Sequence, residues 1–189
     1  MGRRSSIGEE DLIQALSRVF RDTGYDGATL SSLSQETGLQ RASLYHRFPG
    51  GKEQMAQEVL VATEAWLKEN LFEPLKSDVP VEQRLQEMIR KLDELYSSGK
   101  QACILNMLSS ASDHDSPFTA AIKRIFNALI DGLAALAEEQ GFDKLDAKLR
   151  AERTVMLLHG SLVLSRGTGS QKPFERFLET LPEELLGHC

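Results

Sequence analysis

Arg41, Arg47 and Lys52, with Tyr45 and His46 among them, lie in a window from Thr37 to Lys52 that holds no acidic residue. The 189-residue chain as a whole is acidic, with a formal net charge of -6. Clustered cations beside an aromatic hydroxyl suit the donation of hydrogen bonds to phosphate oxygens along a polyanion. Gln40, Arg41, Ser43 and Arg47 add side chains able to pair with adenine or guanine edges. The charge distribution points the same way. Residues 1–52 carry 7 basic and 6 acidic side chains, whereas the remainder carries 15 and 22, so a near-neutral head sits on an acidic body.

Other chemistries find little footing. There is no G-x-S-x-G elbow and no glycine-rich loop leading from a strand. In "HRFPGGKE", His46 stands where a P-loop needs its first glycine and Glu53 where it needs Ser or Thr. Asp113-His114-Asp115 reads as part of a helix-capping loop, because adjacent residues do not converge on one metal and no second His is near. No metal and no cofactor are expected. Cys103 and Cys189 are too few for a disulfide framework and suit a reducing, cytoplasmic setting. The longest apolar run, Val155 to Leu164, is broken by His159, Gly160 and Ser161 and is too short to span a membrane. "MGRRSS" fits a loose myristoylation pattern but reads better as a disordered basic arm.

The elements that must position the cationic window are helices. Helical periodicity fills nearly every segment and no sustained period-2 alternation occurs, so the expected fold is all-α with about nine helices. A first helix runs from about Glu9 to Thr23, buries Leu12, Leu16, Val19 and Phe20, and ends at Gly24. Thr29 caps a short helix to about Glu36, Gly38 makes a turn, and a third helix runs from about Gln40 to Arg47. Two short helices joined by a glycine turn are the helix-turn-helix layout, with Leu30, Leu33, Leu39, Leu44 and Phe48 inward. After "FPGG" a longer helix from Lys52 to about Phe72 turns Met55, Val59, Ala62 and Trp66 inward. Helices then follow over about Val81–Ser98, Ala102–Ala111, Ser116–Gln140, Leu145–Thr168 and from Pro173 onward. The expected division is a three-helix head, 1–52 with its motif at 29–48, and a body, 53–189.

The body is too long and too apolar to be only a spacer. "VMLLHGSLVL" is apolar almost all round, so its helix needs cover on more than one side. With the apolar last helix, a second copy of the chain is the simplest cover, through Leu158, Leu162, Phe174, Phe177, Leu178 and Leu181. A two-fold homodimer would set two reading helices about one DNA turn, ~34 Å, apart. Trp66, Leu92, Tyr96, Cys103, Met107, Phe126, Met156 and His159 are candidates to line an apolar pocket for a small-molecule effector.

"TLSSLSQETGLQRASLYHRF", Thr29 to Phe48, resembles the signature of the TetR family of bacterial transcriptional regulators. The shared features are the opening Thr, the spaced apolar residues, the turn Gly, the "SLY" triplet and the closing Phe, and the preceding "FRDTGYDGATL" fits as well. "FPGGKEQM" and "QACILNML" resemble a subgroup related to repressors of multidrug-resistance genes. The resemblance implies a dimer, with Thr29, Arg41, Tyr45, His46 and Lys52 against phosphates and Gln40, Arg41, Ser43 and Arg47 nearest the bases. Ser34 and Thr37 depart from the family's small alanines, Gln40 replaces a capping Ser, and the second glycine of Gly50-Gly51 lengthens the turn before Lys52. The function so implied is a sequence-specific DNA-binding regulator, not an enzyme. It would be a homodimeric repressor released from a palindromic operator by a small apolar or amphipathic ligand. The rivals are a helical enzyme using a Cys103–His159 thiolate pair and a helical interaction module without operator binding.

Overall fold

Caps, glycines and buried apolar spacing define the helices of the protein, whose computed structural model describes residues 7–109 and 116–187. The N-terminal basic segment, Asp113-His114-Asp115 and Cys189 lie outside the described residues. Among the described residues there are nine α-helices and no strand, which is the expected fold class. The described residues divide into two compact units.

The first unit takes in the described residues up to Thr63 and those within Ile104–Thr119. Helix α1, Glu9–Gly27, opens with Glu9, Glu10 and Asp11, whose charges favour the positive end of the helix dipole. Its helical bonding resumes beyond Gly24 rather than stopping there. Gly24 nonetheless breaks the regular backbone with φ 72° and ψ 175°, a conformation that side-chain-bearing residues avoid. Thr29 caps α2, Leu30–Thr37, through a reciprocal box with Ser32, and Gly38 ends it in the left-handed region at φ 68°. Helix α3, Arg41–Arg47, has no side-chain cap from Gln40. Leu12, Leu16, Phe20, Leu33, Leu44, Met55 and Val59 are each 1% exposed or less and form one core. The hydroxyls of Ser34 and Thr37 are satisfied locally, donating to the Leu39 carbonyl at 2.5 Å and the Leu33 carbonyl at 2.7 Å. Helix α6, Ile104–Leu108, packs on α1, and a Cβ built on Gly24 would lie 3.5 Å from the Met107 carbonyl oxygen.

The second unit holds the residues of α4, Gly51–Leu67, beyond Thr63, together with α5, Val81–Tyr96, most of α7, Thr119–Glu139, and all of α8, Lys144–Thr168, and α9, Lys172–Leu186. The α-helical bonding of α4 stops at Leu67, and Lys68–Phe72 continues as a π-helical turn. Asp143 caps α8 by accepting from the Leu145 and Asp146 amides. Helices α8 and α9 run antiparallel. The Phe174 amide donates to Ser165 Oγ at 3.2 Å near one end, and Arg150 donates to the Glu184 carbonyl at 3.1 Å near the other. The α8 residues that face α9 and the core include the small Ala147, Ala151, Ser161 and Ser165, which let Phe174, Phe177, Leu181 and Leu185 approach closely.

Arg84 pins this unit together. It is 6% exposed, donates to the Leu75 carbonyl at 2.6 Å, and forks onto both carboxylate oxygens of Glu139. That hydrogen bond and the guanidinium's charge hold the Glu139 carboxyl below its ordinary value. A lowered carboxylate stabilises the fold fully above its unfolded pKa, and the gain is lost as pH falls through the folded one. Glu139→Gln is therefore expected to cost about 1 kcal/mol at neutral pH, because the guanidinium loses its counter-charge while solvent already screens the half-exposed carboxylate. It should also flatten the loss of stability as pH falls below the ordinary glutamate range, where the unfolded chain binds a proton that the folded carboxylate still excludes. Urea unfolding of both proteins from pH 3 to 7 checks this.

Candidate nucleic-acid interface

Helix α3 is amphipathic in an unusual sense, because its outward face is cationic and acid-free. Leu44 is fully buried and Phe48 nearly so, and these two anchor the helix against the first unit's core. Gln40, Arg41, Ser43, Tyr45, His46 and Arg47 all point outward, and the Tyr45 ring is 47% exposed. The face they share extends from the glycine turn to the end of the helix, and the guanidinium and phenol groups on it are open to solvent. Glu36, the acid that bounds the window, is paired with Arg18 at 2.7 Å, so its negative charge is offset before it reaches the cationic face.

The remaining expected contacts are less free. Thr29 is exposed, yet its hydroxyl is the cap of α2: it accepts from the Ser32 amide at 3.1 Å while the Thr29 amide donates to Ser32 Oγ at 3.0 Å. Arg41 Nη2 donates to Ser31 Oγ at 3.1 Å, which orients the guanidinium and leaves its other donors unused by that bond. Lys52 is half-buried. Its Nζ donates to the Tyr25 carbonyl at 2.9 Å and stands 4.4 Å from the centre of the Tyr25 ring. The Tyr25 hydroxyl is pushed up from its ordinary pKa first by burial and then by the carboxylates of Glu53 and Asp26, so the ring stays neutral beneath the cation.

Ser31 and Tyr25 were not among the expected site residues. Tyr25 falls in "GYDGATL", a stretch whose sequence reads only as a connection, and its partner is 27 positions away. Ser31 carries no periodic or charge signal.

Four of the eight pocket candidates meet in two pairs. Tyr96 and Cys103 are buried side by side, with the Tyr96 hydroxyl donating to the Cys103 sulfur at 3.6 Å, and Leu92 is buried on the same helix as Tyr96. Phe126 and His159 meet edge to face with ring centres 5.1 Å apart. Trp66 is half-buried, whereas Met156 points outward at 65% exposure. Met107 belongs to the first unit with α6.

Of the six dimer candidates, Leu158, Leu162, Phe174, Phe177 and Leu181 are buried within this one chain, and Leu178 is half-buried. The reason is the antiparallel α8–α9 packing, which uses the apolar faces of both helices. Other apolar side chains are left outward on α8: Leu145, Leu149, Met156, Val163 and Leu164, each more than half exposed, with Leu157 at 37%. Part of this face borders a groove of about 480 Å³ that also includes Gly160, Pro173 and Phe177. Among the described residues no cluster of three or more His, Cys, Asp or Glu is placed to hold a metal ion, and no helix is long and apolar enough to cross a membrane.

Residues 12–59 match the family profile described as bacterial regulatory proteins, tetR family, and residues 80–180 match the LmrA/YxaF-like transcriptional regulator C-terminal domain. The HTH-type transcriptional regulator LmrA of Bacillus subtilis (strain 168) is 21% identical over 93% of this chain and 95% of its own length. The uncharacterized HTH-type regulator YxaF of the same strain is 25% identical over 92% of each. Among solved structures, a TetR transcriptional regulator from Legionella pneumophila shares the fold with a TM-score of 0.82 at 19% identity, covering 97% of this chain and all of that one. A cysteine-substituted CifR bound to a 26-base-pair operator duplex has a TM-score of 0.73 at 19% identity, over 97% and 98% of the two chains. FadR of Bacillus subtilis, solved with stearoyl-CoA, has a TM-score of 0.69 at 15% identity, over 96% and 100%.

Proposed function

This chain belongs to the TetR family of bacterial transcriptional regulators, DNA-binding proteins rather than enzymes, and on that premise we propose that it is a homodimeric repressor of a palindromic operator, released by a small apolar or amphipathic effector. The observation that carries the DNA-binding part is the exposed, acid-free face of α3, from Gln40 to Arg47. Arg41, Tyr45, His46, Lys52 and Thr29 take the phosphates, and Gln40, Arg41, Ser43 and Arg47 lie nearest the bases. The CifR complex supports the same use of this fold. A cytoplasmic location goes with the reading.

The homodimer is supported by the outward apolar face of α8. Leu145, Leu149, Met156, Gly160 and Val163 follow helical spacing along one stripe that only Glu152 interrupts, and exposed apolar side chains gathered on one face mark an interface. Effector binding belongs to the second unit, and FadR with its bound acyl-CoA shows a protein of this fold taking an amphipathic ligand. Helix α4 carries the chain without interruption from Gly51, next to the reading helix, into residues of the second unit. A ligand that favoured a different placement of that helix would alter the separation of the two heads. Coupling of about 1–3 kcal/mol changes operator affinity 5- to 150-fold.

Salt dependence tests the reading. Binding to the operator should fall steeply, with log affinity against log salt showing a slope of about −0.9 per phosphate contacted. A nearly flat slope would count against it and favour an interaction module whose head no longer reads DNA.

A further inference from the structure

A lysine that only met a phosphate would need no partner in the free protein, yet Lys52 is held on two sides. Its ammonium donates to the Tyr25 carbonyl at 2.9 Å and rests 4.4 Å from the centre of that residue's ring. The ring is in turn fixed by two others. Phe20 stacks at 6.3 Å between centres, and Phe118 meets it edge-on at 4.9 Å. Phe20 and Phe118 are fully or nearly fully buried, so the support under Tyr25 is core packing. The kink at Gly24, φ 72°, redirects α1 immediately before Tyr25.

The choice of partners matters. Among the described residues Lys52 forms no ion pair, and it is held by a carbonyl and by the face of a neutral ring. A carboxylate would have fixed the ammonium more firmly but cancelled its charge. A carbonyl and a π-face restrain it and leave the charge whole. An ammonium has three donors, so the bond to Tyr25 leaves two for phosphate oxygens. The location fits as well. The preceding Gly51 has φ 67°, and a Cβ there would meet the ring of Tyr45, on the exposed face of α3, at 3.6 Å. A lysine already fixed in place loses less freedom when DNA arrives.

We propose that Tyr25 is a positioning residue for Lys52: its carbonyl and ring, braced by Phe20 and Phe118, hold an uncancelled ammonium beside the reading helix so that it meets the DNA backbone pre-oriented. This rests on the DNA-binding reading above and adds a residue that touches no nucleic acid itself. Tyr25→Phe keeps the ring and the carbonyl, whereas Tyr25→Leu keeps only the carbonyl.

The test is operator affinity against salt for the wild type, Tyr25→Phe, Tyr25→Leu, Lys52→Gln and the Tyr25→Leu/Lys52→Gln double variant. Tyr25→Leu should bind roughly tenfold more weakly and reduce the salt slope by about 2 for a dimer, one phosphate contact per head, as Lys52→Gln does. The double variant should be no weaker than Lys52→Gln alone, and Tyr25→Phe should match the wild type. Weaker binding by Tyr25→Leu with the slope unchanged, or additive losses in the double variant, overturns the proposal and leaves DNA binding intact. A wild type that retains no duplex overturns both. If Tyr25→Leu does not fold, NMR of the wild type decides. The Lys52 side-chain methylene protons should be shifted upfield by the ring and stay shifted on the operator, and loss of that shift on DNA binding overturns the proposal.

Discussion

Arg41→Ala is expected to weaken operator binding and to relax base preference at one position in each half-site. The guanidinium stands exposed at the first residue of α3, where a helix entering the major groove brings its N-terminal side chains to the base edges. Its bond to Ser31 fixes the plane of the fork without consuming it. A bidentate contact to a base contributes about 1–3 kcal/mol of discrimination per head. A two-headed dimer should therefore lose on the order of 100-fold in affinity for its own site. Arg41→Lys separates charge from geometry: it should keep the salt slope and still lose the preference, because an ammonium cannot form the fork. Ser31→Ala should show a weaker version of the same loss. Competition binding with single-base variants of the operator checks all three. An equal loss on every sequence would mean that Arg41 touches phosphate alone.

Met156→Glu combined with Val163→Glu should break the proposed homodimer and leave the protomer folded. Both side chains are exposed, at 65% and 58%, and they lie seven residues apart on the same stripe of α8. Among the described residues neither side chain belongs to the buried core. In a two-fold pair the change sets four carboxylates into an apolar contact, and like-charge juxtaposition costs several kcal/mol. Dimer dissociation should rise by more than about 100-fold. Operator affinity should fall with it, because each protomer alone spans only half the site. Sedimentation and thermal unfolding together read the outcome. A variant that remains dimeric would place the interface elsewhere.

The head was largely legible in the sequence. Thr29 and Gly38 mark a cap and a left-handed turn, and Leu33, Leu44 and Phe48 fall at spacings that leave only one outward face for α3. The absence of acid between Thr37 and Lys52 then identified that face. What could not be read were contacts between distant segments. Lys52 carries a charge signal, but nothing local reveals that Tyr25 receives it. Arg84 looks like any surface arginine in an amphipathic helix until Leu75 and Glu139 close over it. The segment around Met107 reads as part of the body by position and joins the first unit by packing. The inward face of α8 was hidden for a different reason: "VMLLHGSLVL" is apolar in almost every direction, so hydrophobicity cannot choose a side. Size chooses instead. Ala151, Ser161 and Ser165 turn inward so that the phenylalanines of α9 can approach, and Met156, Val163 and Leu164 are left outside.

Everything rests on a pair of cationic helices entering successive grooves of one duplex. Selecting bound sequences from random double-stranded DNA tests this most directly. The expected product is an inverted repeat whose half-sites match in sequence, are separated by about one helical turn, ~10 base pairs, or a multiple of it, and lose their enrichment with Arg41→Ala. Sequences enriched without a repeat, or retained equally whatever their composition, would contradict it.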